Sequence, residues 1–126
     1  MTSSIAAIFS GRFDIKHFNE SFWGDANRCS VYEKSKILAE RELWAYLDKS
    51  KSKLEVCVIN PGLVIGPSVN DSISTSVHII LRPFKDNLFA VPNIYFSIVD
   101  VRDVAFAHIH AINNPISNNQ RYILVN

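Results

Sequence analysis

A short and almost wholly apolar stretch, LEVCVIN at Leu54 to Asn60, decides which folds are open to this chain. It is rich in β-branched residues and lacks the polar and apolar alternation of a strand that has one face in water. Pro61 and Gly62 follow directly and end it. The stretch therefore predicts a strand that is covered on both faces, as in a parallel sheet with helices on either side.

Helices and strands are predicted to alternate around this strand. The strongest helix runs from about Val31 to Lys49, where helix-forming residues are frequent and Ala39, Leu43 and Leu47 repeat on one face. The other predicted elements are a helix from about Ser74 that Pro83 ends, a strand from Ile94 to Val99, a helix from about Val101 to Ile112 and a final strand RYILV, with loops at residues 8–28 and at GLVIGPSVNDS. Strands that alternate with helices imply βαβ crossovers, so the predicted fold class is α/β with a parallel sheet.

The titratable residues of the C-terminal helix are predicted to be structural. Asp100 is a good N-cap for this helix, and Asp103 lies in its first turn, where exposed N–H groups stabilise a carboxylate. His108 and His110 are two residues apart and point to different faces of the helix, which makes a poor metal site. We therefore expect neither an acid/base pair nor a metal site here.

Composition narrows the class of partner. The chain has 126 residues, of which 48% are hydrophobic and 20% charged, and no repeat or linker divides residues 1–126, so one domain is expected. A formal net charge of +1 and a pI near 7.8 give no basic field that would attract nucleic acid or an anionic membrane. A small molecule is the partner that these values favour.

The compartment is predicted from the cysteines and the first residues. Cys29 lies in a polar loop and Cys57 within the apolar run, which is not a disulfide framework. The start MTSSIAAIFSGR has no basic region, and its apolar run is too short for a signal peptide or a membrane span. We therefore expect a cytoplasmic protein.

Tyr32 and Lys36 are the first candidates for chemistry. They lie four residues apart on a predicted helix and share a face. A neighbouring cation lowers the pKa of a tyrosine from roughly 10 toward neutrality, so that the phenol can exchange a proton with a carbonyl or an alcohol. The lysine donors also suit a pair of ribose hydroxyls, and Thr2 to Ser4 offer a hydroxyl for the substrate oxygen. Alone, however, this spacing is more often an ordinary exposed pair.

Four motifs in a fixed order go beyond this pair. They are TSSIAA from Thr2, YEKSK followed by LAE from Tyr32, INPGLVIGPS from Ile59 and VDVRDVAFAH from Val99. In this order they resemble the extended short-chain dehydrogenase/reductase family, also called the NAD-dependent epimerase/dehydratase family. The resemblance is greatest to the branch of dihydroflavonol 4-reductase, cinnamoyl-CoA reductase and the yeast-type methylglyoxal and aldehyde reductases.

The resemblance implies three catalytic residues. Ser4 matches the serine that orients the carbonyl, Tyr32 the proton donor or acceptor, and Lys36 the residue that perturbs the tyrosine. Hydride would come from a nicotinamide cofactor, NADP(H) in preference to NAD(H), and both Tyr32 and Lys36 would contact it.

The same resemblance implies where the cofactor lies. It places Pro61, Gly62 and Val64 beside the nicotinamide ring, and Thr75 or Ser76 near the phosphates. Reasoning from the residues alone supports the same placement, because ligands bind at the ends of parallel strands. The turn at Pro61 and Gly62 is expected to offer backbone groups to a carboxamide.

A Gly-rich dinucleotide-binding turn is missing from the sequence. Gly11, Gly24, Gly62 and Gly66 are the only glycines and do not form G-x-x-G-x-x-G. The chain is therefore expected to be the middle to C-terminal part of such an enzyme, a partial Rossmann-like parallel sheet with flanking helices that lacks the N-terminal βαβ half. Weak binding of NADP(H) follows, as does an exposed edge or an uncovered side at strand 54–60.

Three functions are compatible with these residues. The first is NADP(H)-dependent reduction of an aldehyde or ketone, or oxidation of the alcohol. The second is a catalytically inactive fragment that acts only as an interaction module. The third is a sugar-nucleotide epimerase or dehydratase, since these enzymes also use Tyr-x-x-x-Lys. The motifs TSSIAA and INPGLVIGPS favour the reductase.

Overall fold

The computed structural model describes residues 1–50, 53–68, 75–85 and 95–126, and these residues form an α/β fold. Its elements in chain order are α1 (Ala6–Phe9), α2 (Val31–Ser50), β1 (Cys57–Pro61), β2 (Leu63–Ile65), α3 (Thr75–Lys85), β3 (Ile98–Asp100), α4 (Val101–Asn113), a 3-10 turn (Pro115–Ser117) and β4 (Gln120–Leu124). The predicted fold class is confirmed. Among these helices, none has both the length and the apolar character needed to cross a membrane.

In the part of the chain that the structure describes, the named strands form two parallel pairs, whereas the sequence predicted a single parallel sheet. The parallel sense was predicted correctly. Strand β1 pairs with β4, with Cys57 opposite Gln120 and Pro61 opposite Leu124. Strand β2 pairs with β3 in the same sense. Since parallel strands need a crossover connection, the helices between them cover the sheet faces.

Gly62 joins the two strand pairs. Its N–H donates to the carbonyl oxygen of Leu124 at 3.0 Å, and the next N–H, that of Leu63, donates to Ser97 at 2.8 Å. A Cβ atom on Gly62 would lie 2.2 Å from the Ser97 oxygen. Two backbones therefore approach too closely here for any side chain, and only glycine fits.

The first residues of the chain form a third partner for β1. The N–H of Ser3 donates to Ile59 at 2.8 Å, and the N–H of Ile59 donates to Met1 at 3.0 Å. Strand β1 thus lies between residues 1–3 and β4, and its last four residues are buried. The prediction of an exposed edge or an uncovered side at this strand was wrong, because these few residues suffice to complete the ladder.

The core lies where α1 and α2 pack against β1. Ala7, Ile8, Ile37 and Val58 are fully or almost fully buried. Helix α2 has nearly its predicted bounds, and its buried residues are Ile37 and Glu40. Of the three residues predicted to share one face, Leu43 and Leu47 are half-buried and Ala39 is exposed.

Further predictions differ from the structure. The strand predicted from Ile94 to Val99 is the short β3, Ile98–Asp100, and Ile94 lies outside the described residues. Residues 63–65 were predicted as loop, yet they form β2, because their strand partner β3 lies far along the chain and local sequence does not show it. Helix α3 does not end at Pro83 but continues to Lys85. A proline costs its own N–H bond and crowds the preceding turn, but it does not force the next residues out of a helical backbone.

Asp100 caps α4 as predicted. Its carboxylate accepts the N–H of Arg102 at 2.8 Å, and the guanidinium of Arg102 approaches it to 2.7 Å. These hydrogen bonds from Arg102 lower the pKa of Asp100 to about 2. Helix α4 therefore starts from β3 at a fixed residue, which agrees with the structural role expected for this carboxylate.

Candidate active site

A cleft of about 440 Å³ lies at the carboxyl end of β1. Three residues that the sequence singled out, Ser4, Tyr32 and Gly62, line it together. They come from the segment before α1, the first turn of α2 and the junction of β1 with β2. The end of a parallel strand is the usual place for a ligand in an α/β fold.

Ser4 is held in place by hydrogen bonds to its hydroxyl and to its backbone carbonyl oxygen. Its Oγ accepts the N–H of Ala6 at 3.2 Å, and its carbonyl oxygen accepts the side-chain amide of Asn60 at 3.1 Å. The N–H of Ile5 donates to Pro61 at 2.9 Å. In these contacts the serine oxygen is an acceptor, so its own proton can be donated to a substrate oxygen.

Tyr32 and Lys36 meet on one face of α2, as their spacing predicted. The Nζ atom of Lys36 lies 5.7 Å from the centre of the Tyr32 ring. Tyr32 is 61% exposed, while Lys36 is half-buried and lies one turn further along the helix. The phenol is thus accessible from the cleft and has a cation beside it.

Glu33 fixes the helix turn that carries Tyr32. Its carboxylate accepts the N–H and the hydroxyl of Ser30 at 2.7 and 2.6 Å and the hydroxyl of Ser10 at 2.7 Å. These bonds, those from Ser30 first, lower the pKa of Glu33 below its usual value. The sequence reasoning missed Glu33, although Ser30-x-x-Glu33 is the pattern of a capping box.

The N–H groups of the backbone at Gly62 are used within the sheet. Those of Gly62 and Leu63 donate to Leu124 and Ser97. The expectation that backbone groups of this turn reach a carboxamide stays a prediction for its other backbone groups. What Gly62 gives the cleft is a wall without a side chain.

Of the other predicted cofactor residues, Pro61 and Val64 do not line the cleft. Pro61 is buried in β1, and Val64 is half-buried in β2. Thr75 begins α3, but its side chain falls outside the described residues, whereas its neighbour Ser76 lines the cleft. Contact of either hydroxyl with a phosphate stays a prediction.

Comparisons with known proteins point to one family. The sequence profile of the NAD dependent epimerase/dehydratase family matches residues 3–125. Ketoreductase azaE from Aspergillus niger is 37% identical over 142 residues, covering 99% of this chain and 41% of the relative. Cinnamoyl-CoA reductase 1 from Arabidopsis thaliana is 33% identical over 131 residues, covering 98% of this chain and 37% of the relative.

A solved structure shows the same fold. The crystal structure of yeast methylglyoxal/isovaleraldehyde reductase complexed with NADPH matches with a TM-score of 0.84 and 30% identity. The match covers 98% of this chain and 42% of the yeast chain. This chain therefore spans about two fifths of the length of the relatives that it matches.

Proposed function

The chain belongs to the NAD dependent epimerase/dehydratase family, and we propose that it carries the proton-transfer part of an NADP(H)-dependent carbonyl reductase. The reaction is reduction of an aldehyde or ketone, or oxidation of the alcohol in reverse. The observation that carries the proposal is that Ser4, Tyr32 and Gly62 line one cleft, with Lys36 beside the Tyr32 ring.

Each side chain has one part in the proposed reaction. The Ser4 hydroxyl donates a hydrogen bond to the substrate oxygen and orients it. The Tyr32 hydroxyl gives its proton to that oxygen, and the phenolate left behind is stabilised by the Lys36 ammonium. A nicotinamide cofactor, when bound, supplies the hydride.

The residues of the cleft fit the nicotinamide end of such a cofactor. The cleft volume is within the range of small-molecule sites, and its position at the end of β1 is the one that nucleotides use in α/β folds. Ser76 provides a hydroxyl further along it. The yeast reductase that matches this chain was solved with NADPH, which favours NADP(H) over NAD(H).

The names of the relatives support a reductase over the two alternatives. The two curated relatives and the solved structure named above, all at least 30% identical to this chain, are reductases. An epimerase would also contain Tyr-x-x-x-Lys, but the relatives named above are reductases and not epimerases. An interaction module would need neither Tyr32 nor Lys36 for any chemistry, and this difference can be measured.

The test is a chimera in which residues 1–126 replace the matching part of the yeast reductase. We expect it to oxidise NADPH when methylglyoxal or isovaleraldehyde is added. Tyr32→Phe should lower kcat by about 100-fold or more, the usual contribution of a positioned acid. Tyr46→Phe is the matched control, because Tyr46 lies on the same helix and is also exposed, at 55%.

Two results would contradict the proposal. One is a folded chimera that binds NADPH and does not reduce either aldehyde. The other is equal turnover by the Tyr32→Phe and Tyr46→Phe chimeras, which would remove the proton donor.

A further inference from the structure

A buried carboxylate lies behind the cleft, in the middle of α2. Glu40 has no exposed surface, which is rare for a glutamate unless it is paired. It accepts the Ser3 hydroxyl at 2.5 Å, the Asn60 side-chain amide at 2.8 Å and the Nε of Arg121 at 2.5 Å. Four separate segments of the chain thus meet at one side chain.

Two partners of this carboxylate, Ser3 and Asn60, are close in sequence to residues that line the cleft. Ser3 precedes Ser4, and Asn60 precedes the turn that leads to Gly62. The Asn60 amide donates to the Ser4 carbonyl oxygen as well as to the carboxylate, so its orientation is fixed by two acceptors. The carboxylate itself lies one helical turn beyond Lys36.

We infer that Glu40 is a positioning residue, which holds Ser4 and the Gly62 turn in register with the helix that carries Tyr32. It is not among the residues that line the cleft, so it acts through Ser3 and Asn60. The inference rests on the proposed function, but the hydrogen bonds that hold Ser4 in place can be followed without measuring activity.

A negative charge suits this position better than a neutral amide. Four donors converge on the two oxygens, and one of them is the guanidinium of Arg121, whose side chain is only 10% exposed. Glutamine keeps the shape but places an NH₂ group against donors and leaves a buried cation unpaired, which is costly. Aspartate keeps the charge on a stem that is one methylene shorter.

The cluster also holds the two tryptophans of the chain. The Trp23 ring lies 3.8 Å from the guanidinium carbon of Arg121, and the Trp44 indole N–H points at Glu40 at 3.4 Å. Nη1 of Arg121 donates to the carbonyl oxygens of Glu20 and Phe22. Tryptophan emission therefore reports on this cluster without any label.

The test is amide hydrogen exchange on the 126-residue chain. We compare Glu40→Gln with Glu42→Gln, a matched change at an exposed position of the same helix. The reporters are the N–H groups of Ser3 and Ile5, which donate to Ile59 and Pro61, and the reference is the N–H of Asn119, which donates to Val56. If Glu40 is a positioning residue, the exchange rate of the reporters should rise at least tenfold in Glu40→Gln relative to Glu42→Gln. The exchange rate of the reference should rise much less, and tryptophan emission should shift.

A second variant covers the case in which Glu40→Gln does not fold. Ser3→Ala removes one donor and leaves the Glu40 to Arg121 pair intact. A hydrogen bond to a charged group is involved, so the reporters should exchange about tenfold faster or more, with the reference unchanged. Glu40→Asp should restore part of the protection that Glu40→Gln loses.

The outcomes separate this inference from the proposed function. An equal rise at reporters and reference in both variants would show a role in global stability only and would overturn the inference. In the yeast chimera, Glu40→Asp should lower kcat while the KM for NADPH changes less. If the unmutated chimera folds and binds NADPH but is inactive, the proposed function fails, and hydrogen exchange still decides whether Glu40 positions Ser4.

Discussion

The proposed function gives Tyr32 and Lys36 different tasks, although they were recognised as one pair. Tyr32 lines the cleft and is exposed, so it can reach a substrate. Lys36 is half-buried one turn behind, with its charge 5.7 Å from the ring centre. In the proposed reaction, this ammonium stabilises the phenolate that remains after Tyr32 gives up its proton.

Lys36→Ala should therefore weaken both the rate and the cofactor binding. In the yeast chimera we expect kcat to fall by about tenfold to a hundredfold, because the phenolate loses its cation. The KM for NADPH should rise, because the ammonium donors for the ribose hydroxyls are lost as well. Steady-state kinetics measures both effects.

Lys34→Ala is the control for this change. Lys34 is exposed and lies two residues earlier on α2, so its side chain points away from Tyr32. Equal kinetics for Lys34→Ala and Lys36→Ala would leave Lys36 without a specific role.

At the scale of elements, the start of α2 determines where Tyr32 lies. Ser30 and Glu33 form a reciprocal capping box, with the Glu33 N–H donating to Ser30 Oγ at 3.4 Å and the carboxylate accepting from Ser30. The Ser10 hydroxyl adds a link from this turn to the segment after α1. The first turn of α2 is thus held both by its own N-cap and by the segment that follows α1.

Two serine substitutions, one at the N-cap of α2 and one inside the helix, should differ in their effect on stability. Ser30→Ala removes the cap and should lower the free energy of unfolding by about 1 kcal/mol. Ser35 lies in the helix interior, where its hydroxyl donates to the Tyr32 carbonyl oxygen at 2.6 Å. Alanine is the better helix former there, so Ser35→Ala should be neutral or slightly stabilising.

Chemical denaturation of the 126-residue chain measures these two changes. A loss of stability in Ser35→Ala as large as that in Ser30→Ala would show that the cap has no special part in fixing this turn.

At the scale of the whole molecule, sequence predicted what local pattern controls. The bounds of α2 and α4 and the Asp100 cap follow from residues close together in the chain, and these predictions are confirmed. Strand β2 was missed because its partner is distant in sequence. The close approach at Gly62 is a tertiary contact of the same kind, and the N–H groups of Gly62 and Leu63 are used within the sheet there.

The candidate site was predictable in part for the same reason. Spacing alone placed Tyr32 and Lys36 on one face, but only the ordered motifs brought Ser4 into the prediction. Glu40 was quoted within the LAE motif without a role, because a glutamate in a helix is ordinarily exposed. Its burial depends on donors from three other segments, and no local pattern shows these together.

The glycines of the chain determine whether it can form a binding site for the pyrophosphate of a dinucleotide. All four are explained by internal packing, since an added Cβ would lie within 2.9 Å of another atom in each case. For Gly11 that atom is the Asp25 oxygen and for Gly24 it is Ile37 Cδ1, while Gly62 meets Ser97 and Gly66 meets Val101. These glycines are thus occupied with the fold, and none is left over for a phosphate-binding turn of the kind that dinucleotides require.

We therefore expect the 126-residue chain to bind NADPH weakly and through its nicotinamide end. Titration should give similar dissociation constants for NADPH and for reduced nicotinamide mononucleotide, because the cleft fits the part that the two share. A pyrophosphate site would make NADPH bind much more tightly, since each tenfold gain needs only about 1.4 kcal/mol of added contact. Micromolar binding of NADPH with far weaker binding of the mononucleotide would contradict the expectation, and turnover of an aldehyde by this chain alone would do so directly.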